Sequence, residues 1–416
     1  MMTYWRRAEN VLYKINELAS ISEDPSYLTR TFGSAAFMAG SRLIQQWMQQ
    51  IGLQTRVDAI GNVRGRLVSQ NPDAKTFVIA SHMDSVVNAG KFDGPMGVIM
   101  GLDVVEKIIQ SGQSLPFHIE LIAFSDEEGV RFHTTYLGSK VVAGSFDQEL
   151  LDKKDESGIL LVNAIQEIGS NVAFLPTDAI TKDDWLGYFE IHIEQGPVLY
   201  ERNVPVAIVT DIAGQKRIEL TFRGMAGHAG TVPMTMRQDA LCAAAEFVLA
   251  VEQFGASQPN LVATVGKLNV VNAASNVIPG DVSCSLDVRS NDVAILETAC
   301  QSLQNTLAEI GQKRSIQVDW HFIQETAPVV CSPLFTTLLA KAIQDNNYEL
   351  IQLVSGAGHD GVPISQVAPI AMLFVRCFKG ISHNPLENVE LADLAAALQV
   401  ADTFINNLHE KELIER

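Results

Sequence analysis

The sequence predicts an α/β protein: a larger domain built on a mixed, mostly parallel sheet flanked by helices, interrupted by a smaller α+β domain. Three observations predict it. Through the first half, short apolar runs alternate with stretches of helical periodicity. Between about residues 214 and 325 the strand-like runs instead alternate apolar and polar residues, as half-exposed antiparallel strands do. Beyond that, a buried apolar run and a closing helix return. The expected boundaries are 1–213 with 326–416 for the larger, discontinuous domain and 214–325 for the insertion. A length of 416 residues suits two domains.

The first stretch, MMTYWRRAENVLYKI (1–15), reads as an amphipathic helix and lacks the apolar block of a signal peptide. SAAFMAGSRLIQQWMQQIG (34–52) has helical spacing and ends on a glycine. VRGRLV (63–68), FVIAS (77–81) and FHIELIAF (117–124) read as strands. PMGVIMGLDVVEKIIQSG (95–112) opens with Pro in its first turn and closes at Gly, so it is a predicted helix. GYFEIHIEQG (187–196) is a strand with polar residues at its exit. In the insertion, RIELTFRG (217–224), LVATVGKLNV (261–270) and DVSCSLDVRS (281–290) read as strands. RQDALCAAAEFVLAVEQF (237–254) and AILETACQSLQNTLAEIG (294–311) read as the helices that cover them. PIAMLFVR (369–376) is a buried strand and ADLAAALQVADTFINNL (392–408) the closing helix.

The formal net charge of −18 argues against a nucleic-acid surface, which needs clustered Lys and Arg. It leaves room for a small anionic substrate, because a local pair of arginines overrides the global field. Five scattered cysteines form no CxxC pair, so a disulfide framework or zinc ribbon is not expected and a reducing cytoplasm is the expected compartment. No apolar run approaches the length expected of a membrane span.

Four strand exits carry residues that bind metals: His82 with Asp84 and Asp93; Asp126, Glu127 and Glu128; His192 with Glu194; and His383 in GISHNP. His82 and Asp84 share a face by strand alternation. A lone His at such a place is most simply a core residue. Four groups together are costly to bury without pairing or a metal, and imidazole with carboxylate suits zinc or manganese. Adjacent Glu127 and Glu128 suggest a division of labour, one carboxylate on the metal and the other a general base. The remaining histidines, His118, His133, His321 and His409, read as structural or surface residues.

In this order, His82-x-Asp84, Asp93-Gly94, Glu127-Glu128, His192 and His383 resemble the dinuclear metal amidohydrolases of the M20 peptidase superfamily. HIEQGPVL (192–199), GHAGTVPM (227–234), ASNVIPG (274–280), SGAGHDG (355–361) and GISHNP (380–385) are similar to the branch that hydrolyses ureido groups. That branch holds the allantoate amidohydrolases, N-carbamoyl-L-amino-acid hydrolases and β-ureidopropionases. Residues 30–67 and 224–241 look most like the plant-type allantoate amidohydrolases.

The resemblance implies two divalent ions, Zn2+ or Mn2+, per subunit. His82 and His192 would bind one, Glu128 and His383 the other, with Asp93 bridging. Glu127 would be the base, and Asp84 would orient His82. Asp93–Gly94 would be a cis peptide. The insertion would be a lid and dimerisation domain, with hinges near residues 213 and 325. From it, His228 would reach the neighbouring subunit of a homodimer and polarise the scissile carbonyl. Asn276 and Arg289 would hold the substrate's carboxylate and Arg217 would occupy a further substrate-binding position, while Gln195 and His359 line the pocket from the larger domain. The implied activity is hydrolysis of allantoate, with no nucleic acid or membrane as partner. The alternatives are an N-carbamoyl-L-amino-acid hydrolase, a peptidase of the same superfamily, and a catalytically silent binding protein; the last would have lost a ligand or the base, and none is missing.

Overall fold

A computed structural model describes residues 3–414. The backbone packs into two compact units. The larger comprises Met1–Thr210, Cys331–Leu353 and Gly358–Arg416; the smaller comprises Asp211–Val330 and Val354–Ala357. The smaller unit is thus a few residues wider at each end than the expected insertion. It also recruits a four-residue return segment, too short to change the texture of the sequence.

In the larger unit, four parallel strands lie side by side at the centre of the sheet: His118–Phe124, Thr76–His82, Trp185–Ile193 and Ile370–Val375. Gln54–Val57 and Val63–Leu67 extend it antiparallel on one side, and Val206–Ile212 on the other. The central strands are buried on both faces, which is why they read as continuous apolar runs. Phe77, Ile79, Phe189 and Leu373 join helix residues such as Val98, Leu102 and Phe404 in one core. Each such side chain contributes about 1.5–3 kcal/mol by leaving water.

Local chemistry sets the helix ends. Ser34 accepts a hydrogen bond from Phe37 N at 3.0 Å and starts the Ala35–Gln50 helix. The Pro95–Ser111 helix has Pro in its first turn and stops at Gly112, whose φ is +68°. Buried Arg7, on the Tyr4–Ala19 helix, ties Asp103 and Asp402 of two other helices together.

The smaller unit holds an antiparallel sheet in the order Leu268–Val270, Asp281–Ser290, Gly214–Arg223, Gln317–Thr326, with Leu261–Thr264 also on Asp281–Ser290. Helices Ala240–Ser257 and Val293–Arg314 cover one face, burying Ile218, Leu220 and Phe222 against Phe247 and Leu303. Ala240–Ser257 is long and apolar enough to cross a membrane by length and composition, contrary to the expectation that no run is. Here its Ala240, Ala243, Ala244, Phe247 and Val251 face the sheet instead.

Candidate metal centre

Parallel strands release their chains at one edge, and α/β proteins build sites there. His82 closes its strand and pairs in register with Phe124; Asp126, Glu127 and Glu128 follow two residues further on. His192 sits one residue before the end of its strand, opposite Phe374 of the strand that leads to His383. The fold therefore gathers four strand exits that lie far apart in sequence.

Asp93 Oδ1 lies 3.2 Å from His192 Nε2 and 3.7 Å from His82 Nε2. Its Oδ2 lies 3.2 Å from His383 Nε2, which is 3.3 Å from Glu128 Oε1. Two ligand groups result, His82–Asp93–His192 and Asp93–Glu128–His383, each with its donor atoms within 4.8 Å of one another and Asp93 common to both.

The tautomers show what fits between them. His192 Nδ1 faces Ile193 O at 3.0 Å, and His82 Nδ1 faces Asp84 Oδ1 at 3.3 Å. Both oxygens only accept, so in the neutral rings the proton is on Nδ1 and each Nε2 is a lone pair. Those two Nε2 atoms are 3.5 Å apart, and both face Asp93. Buried lone pairs converging in this way repel one another unless a cation lies among them, so the donor set suits a divalent metal. The neighbouring carboxylates raise the pKa of both rings. Burial opposes their charge, but Asp84 and Asp93 outweigh it at His82, and Asp93 does so at His192.

Asp84 does more than face His82. Its carboxylate accepts from Glu127 N at 3.1 Å and Glu128 N at 3.2 Å, fixing the backbone that carries both glutamates. Glu127 is buried; burial and Glu128 hold its carboxyl well above the usual range, with His82 pulling the other way. A carboxyl poised upward in this way is suited to carry a proton. Gln195 and Ser382 both donate to Asp93 Oδ2, at 2.8 and 2.5 Å. Gln195 and His383 hold φ values of +55° and +53°, a strained setting of the kind that clusters at functional loops. His359 is buried edge-on against His192, ring centroids 4.6 Å apart, and burial with His192 keeps it well below the ordinary imidazole range.

Two features correct or extend the reading of the sequence. Among the described residues there is no cis peptide bond, so the one expected at Asp93–Gly94 is absent. Gly94 turns the chain with φ +81° instead, and a Cβ there would sit 2.4 Å from the His82 ring. Glu387 was not foreseen. Its Oε1 accepts from Phe92 N at 2.6 Å and Asp93 N at 3.1 Å, stapling the backbone beneath the shared carboxylate. Its place four residues after His383, in the same loop, was the available signal.

The other predicted site residues belong to the smaller unit and pair up within it. His228 is exposed on a two-residue strand opposite Val277, and Ala229 N donates to Asn276 O at 2.9 Å, so His228 and Asn276 are neighbours. Arg237 donates to Ala229 O and Val232 O and clamps that loop. Arg217 and Arg289 meet at Asp287.

Residues 78–407 match the model of peptidase family M20/M25/M40. The chain is 38% identical to allantoate deiminase 1 of Glycine max, over 96% of this chain and 89% of that one. It is 36% identical to the N-carbamoyl-L-amino acid amidohydrolase of Geobacillus stearothermophilus, over 95% and 97%. An amidase of the hydantoinase/carbamoylase family from Burkholderia multivorans superposes with a TM-score of 0.89 at 33% identity, covering 96% of this chain and 97% of that one.

Proposed function

The chain belongs to peptidase family M20/M25/M40, and from that premise we propose that it hydrolyses a ureido C–N bond in allantoate, giving ureidoglycine, ammonia and carbon dioxide. The observation that carries the reading is the convergence of His82, His192, Asp93, Glu128 and His383 beside a buried Glu127. It is supported by near full-length similarity to an allantoate deiminase.

His82 and His192 would hold one divalent ion, Glu128 and His383 would hold a second, and Asp93 would serve both; zinc or manganese would suit these donors. Such ions, when bound, acidify water and polarise a carbonyl oxygen. Glu127 takes the proton of the attacking water and later delivers it to the departing nitrogen. Asp84 holds the His82 ring and the Glu127 backbone in register for that transfer. Arg217, Asn276 and Arg289 bind the substrate's carboxylate, and the planar guanidinium fork suits that task. Gln195 and His359 line the substrate's path. His228 donates to the oxyanion that forms on the attacked carbon. Water adds to the ureido carbon, the C–N bond breaks, and the carbamate released loses carbon dioxide to leave ammonia. A homodimer in which His228 serves the other copy's centre belongs to the same proposal. So does a cytoplasmic setting, in keeping with five scattered cysteines that form no CxxC pair.

Similarity of 36% to an N-carbamoyl-L-amino acid amidohydrolase favours a second reading, the same bond in an N-carbamoyl-L-amino acid. Ammonia release from manganese-loaded protein, on allantoate beside a panel of N-carbamoyl-L-amino acids, separates them. Preference for allantoate is expected. Preference for the carbamoyl amino acids overturns the substrate, and silence on every ureido compound overturns the reaction.

A further inference from the structure

One carboxylate stands between the two arginines just assigned to the substrate. Asp287 lies directly opposite Arg217 in the antiparallel pairing of Asp281–Ser290 with Gly214–Arg223. Arg289 is two residues further along the same strand and so shares its face. Asp287 accepts from Arg289 Nε at 2.8 Å and Nη2 at 2.9 Å, a bidentate fork, and from Arg217 Nε at 3.3 Å. Each guanidinium has a further anchor: Arg289 Nη1 donates to Gly356 O at 2.7 Å, and Arg217 Nη1 to Gln324 Oε1 at 3.4 Å.

The three side chains line a cavity of about 900 Å³ within the smaller unit. It also contains Glu219 and Lys267, so three cations meet two carboxylates and one net positive charge remains. Two guanidinium groups this close would repel one another if Asp287 were neutral. With it ionised, they form a fixed pair whose surplus matches a single carboxylate. A second carboxylate on the substrate would find no surplus left and would meet Asp287 as a like charge.

We propose that Asp287 is a specificity-determining residue: it positions Arg217 and Arg289 as a pair carrying one net charge, which admits ureido substrates with one carboxylate and rejects those with two. The inference rests on the assignment of Arg217 and Arg289 to the substrate. Removing the charge of Asp287 has two consequences. The forks lose their common anchor, which weakens binding of monoanions, and the site gains a positive charge, which favours dianions.

The test is a charge ladder: N-carbamoyl-L-alanine amide, N-carbamoyl-L-alanine and N-carbamoyl-L-aspartate, with KM and kcat measured separately. Wild type is expected to favour the monoanion. In D287N the ratio of kcat/KM for aspartate over alanine derivative rises at least tenfold, mostly through KM. R217Q removes a cation and moves the ratio the other way, and D287E restores the wild-type preference. A purely structural role would lower both substrates alike and leave the ratio in place. A D287N ratio within threefold of wild type, in protein of normal melting temperature, overturns the proposal. Should wild type turn over no ureido compound, the reaction assignment fails. The charge rule is then read by calorimetric binding of the alanine and aspartate derivatives to wild type and D287N, and equal preference in the two sinks it.

Discussion

The two units build their functional residues in opposite ways. In the larger one, His82, Asp84, Asp93, Glu127 and His192 are all buried, with Glu128 half-buried and His383 exposed at the rim, and most are held by two or more partners. In the smaller one, His228 is exposed on a two-residue strand and Asn276 on the turn beside it, and Arg217 and Arg289 stand on the open face of a sheet. The difference follows from the task. Atoms that must meet a metal within a few tenths of an ångström need a rigid setting. Groups that receive a substrate must stay open to water until it arrives.

The comparison breaks if the buried set tolerates change. Glu127→Gln is expected to lower turnover by roughly 10³-fold, within the range typical of general bases, while metal content by elemental analysis stays near wild type. Activity within tenfold of wild type would mean that the base is elsewhere. On the exposed side, His228→Ala is expected to cost roughly 10²-fold in kcat, the size of one lost oxyanion donor, with metal retained. Unchanged kcat would remove that role and leave the smaller unit as a carboxylate binder alone.

Glu387→Ala sharpens the contrast from beneath. It leaves Phe92 N and Asp93 N without their acceptor in a buried place. Metal affinity should fall roughly 10- to 100-fold, as is usual when a residue supporting a ligand is removed. Competition with a chelator reads this directly, and an affinity equal to wild type would show that the Asp93 backbone holds itself. The smallest effect is expected at Arg237→Ala, which frees the His228 loop from two backbone contacts. At roughly 1 kcal/mol for a hydrogen bond, kcat/KM should drop several-fold and metal content should not move. A loss as large as that of His228→Ala would make the loop as rigid a device as the metal centre.

What could be read in the sequence divides along the same line. Candidate metal ligands at strand exits were legible because four groups of imidazole and carboxylate close apolar runs together, while the role of each residue came only from the resemblance. Glu387 and Ser382 were not, because they act through a tertiary contact with Asp93 that no local pattern records. Asp287 was hidden differently. Its strand alternates as an ordinary half-exposed strand, and only the register with Arg217 shows that it holds two cations. Between residues 130 and 184, short helical turns such as Val172–Asp178 lack the length to establish a period, so that stretch gave no expectation.

The pairing of Trp185–Ile193 with Ile370–Val375 has a consequence for how the protein is made. The earlier strand leaves the ribosome with one edge uncovered, and everything from residue 194 to 369 must be synthesised before its neighbour follows. At cellular elongation speeds that is a wait of roughly ten to thirty seconds. During it the nascent chain carries an apolar strand edge, open to wrong pairings. His383 emerges later still. The donor set proposed for the metals is therefore complete only once residue 383 has been made, so the whole set cannot seed the pairing of the strands before it.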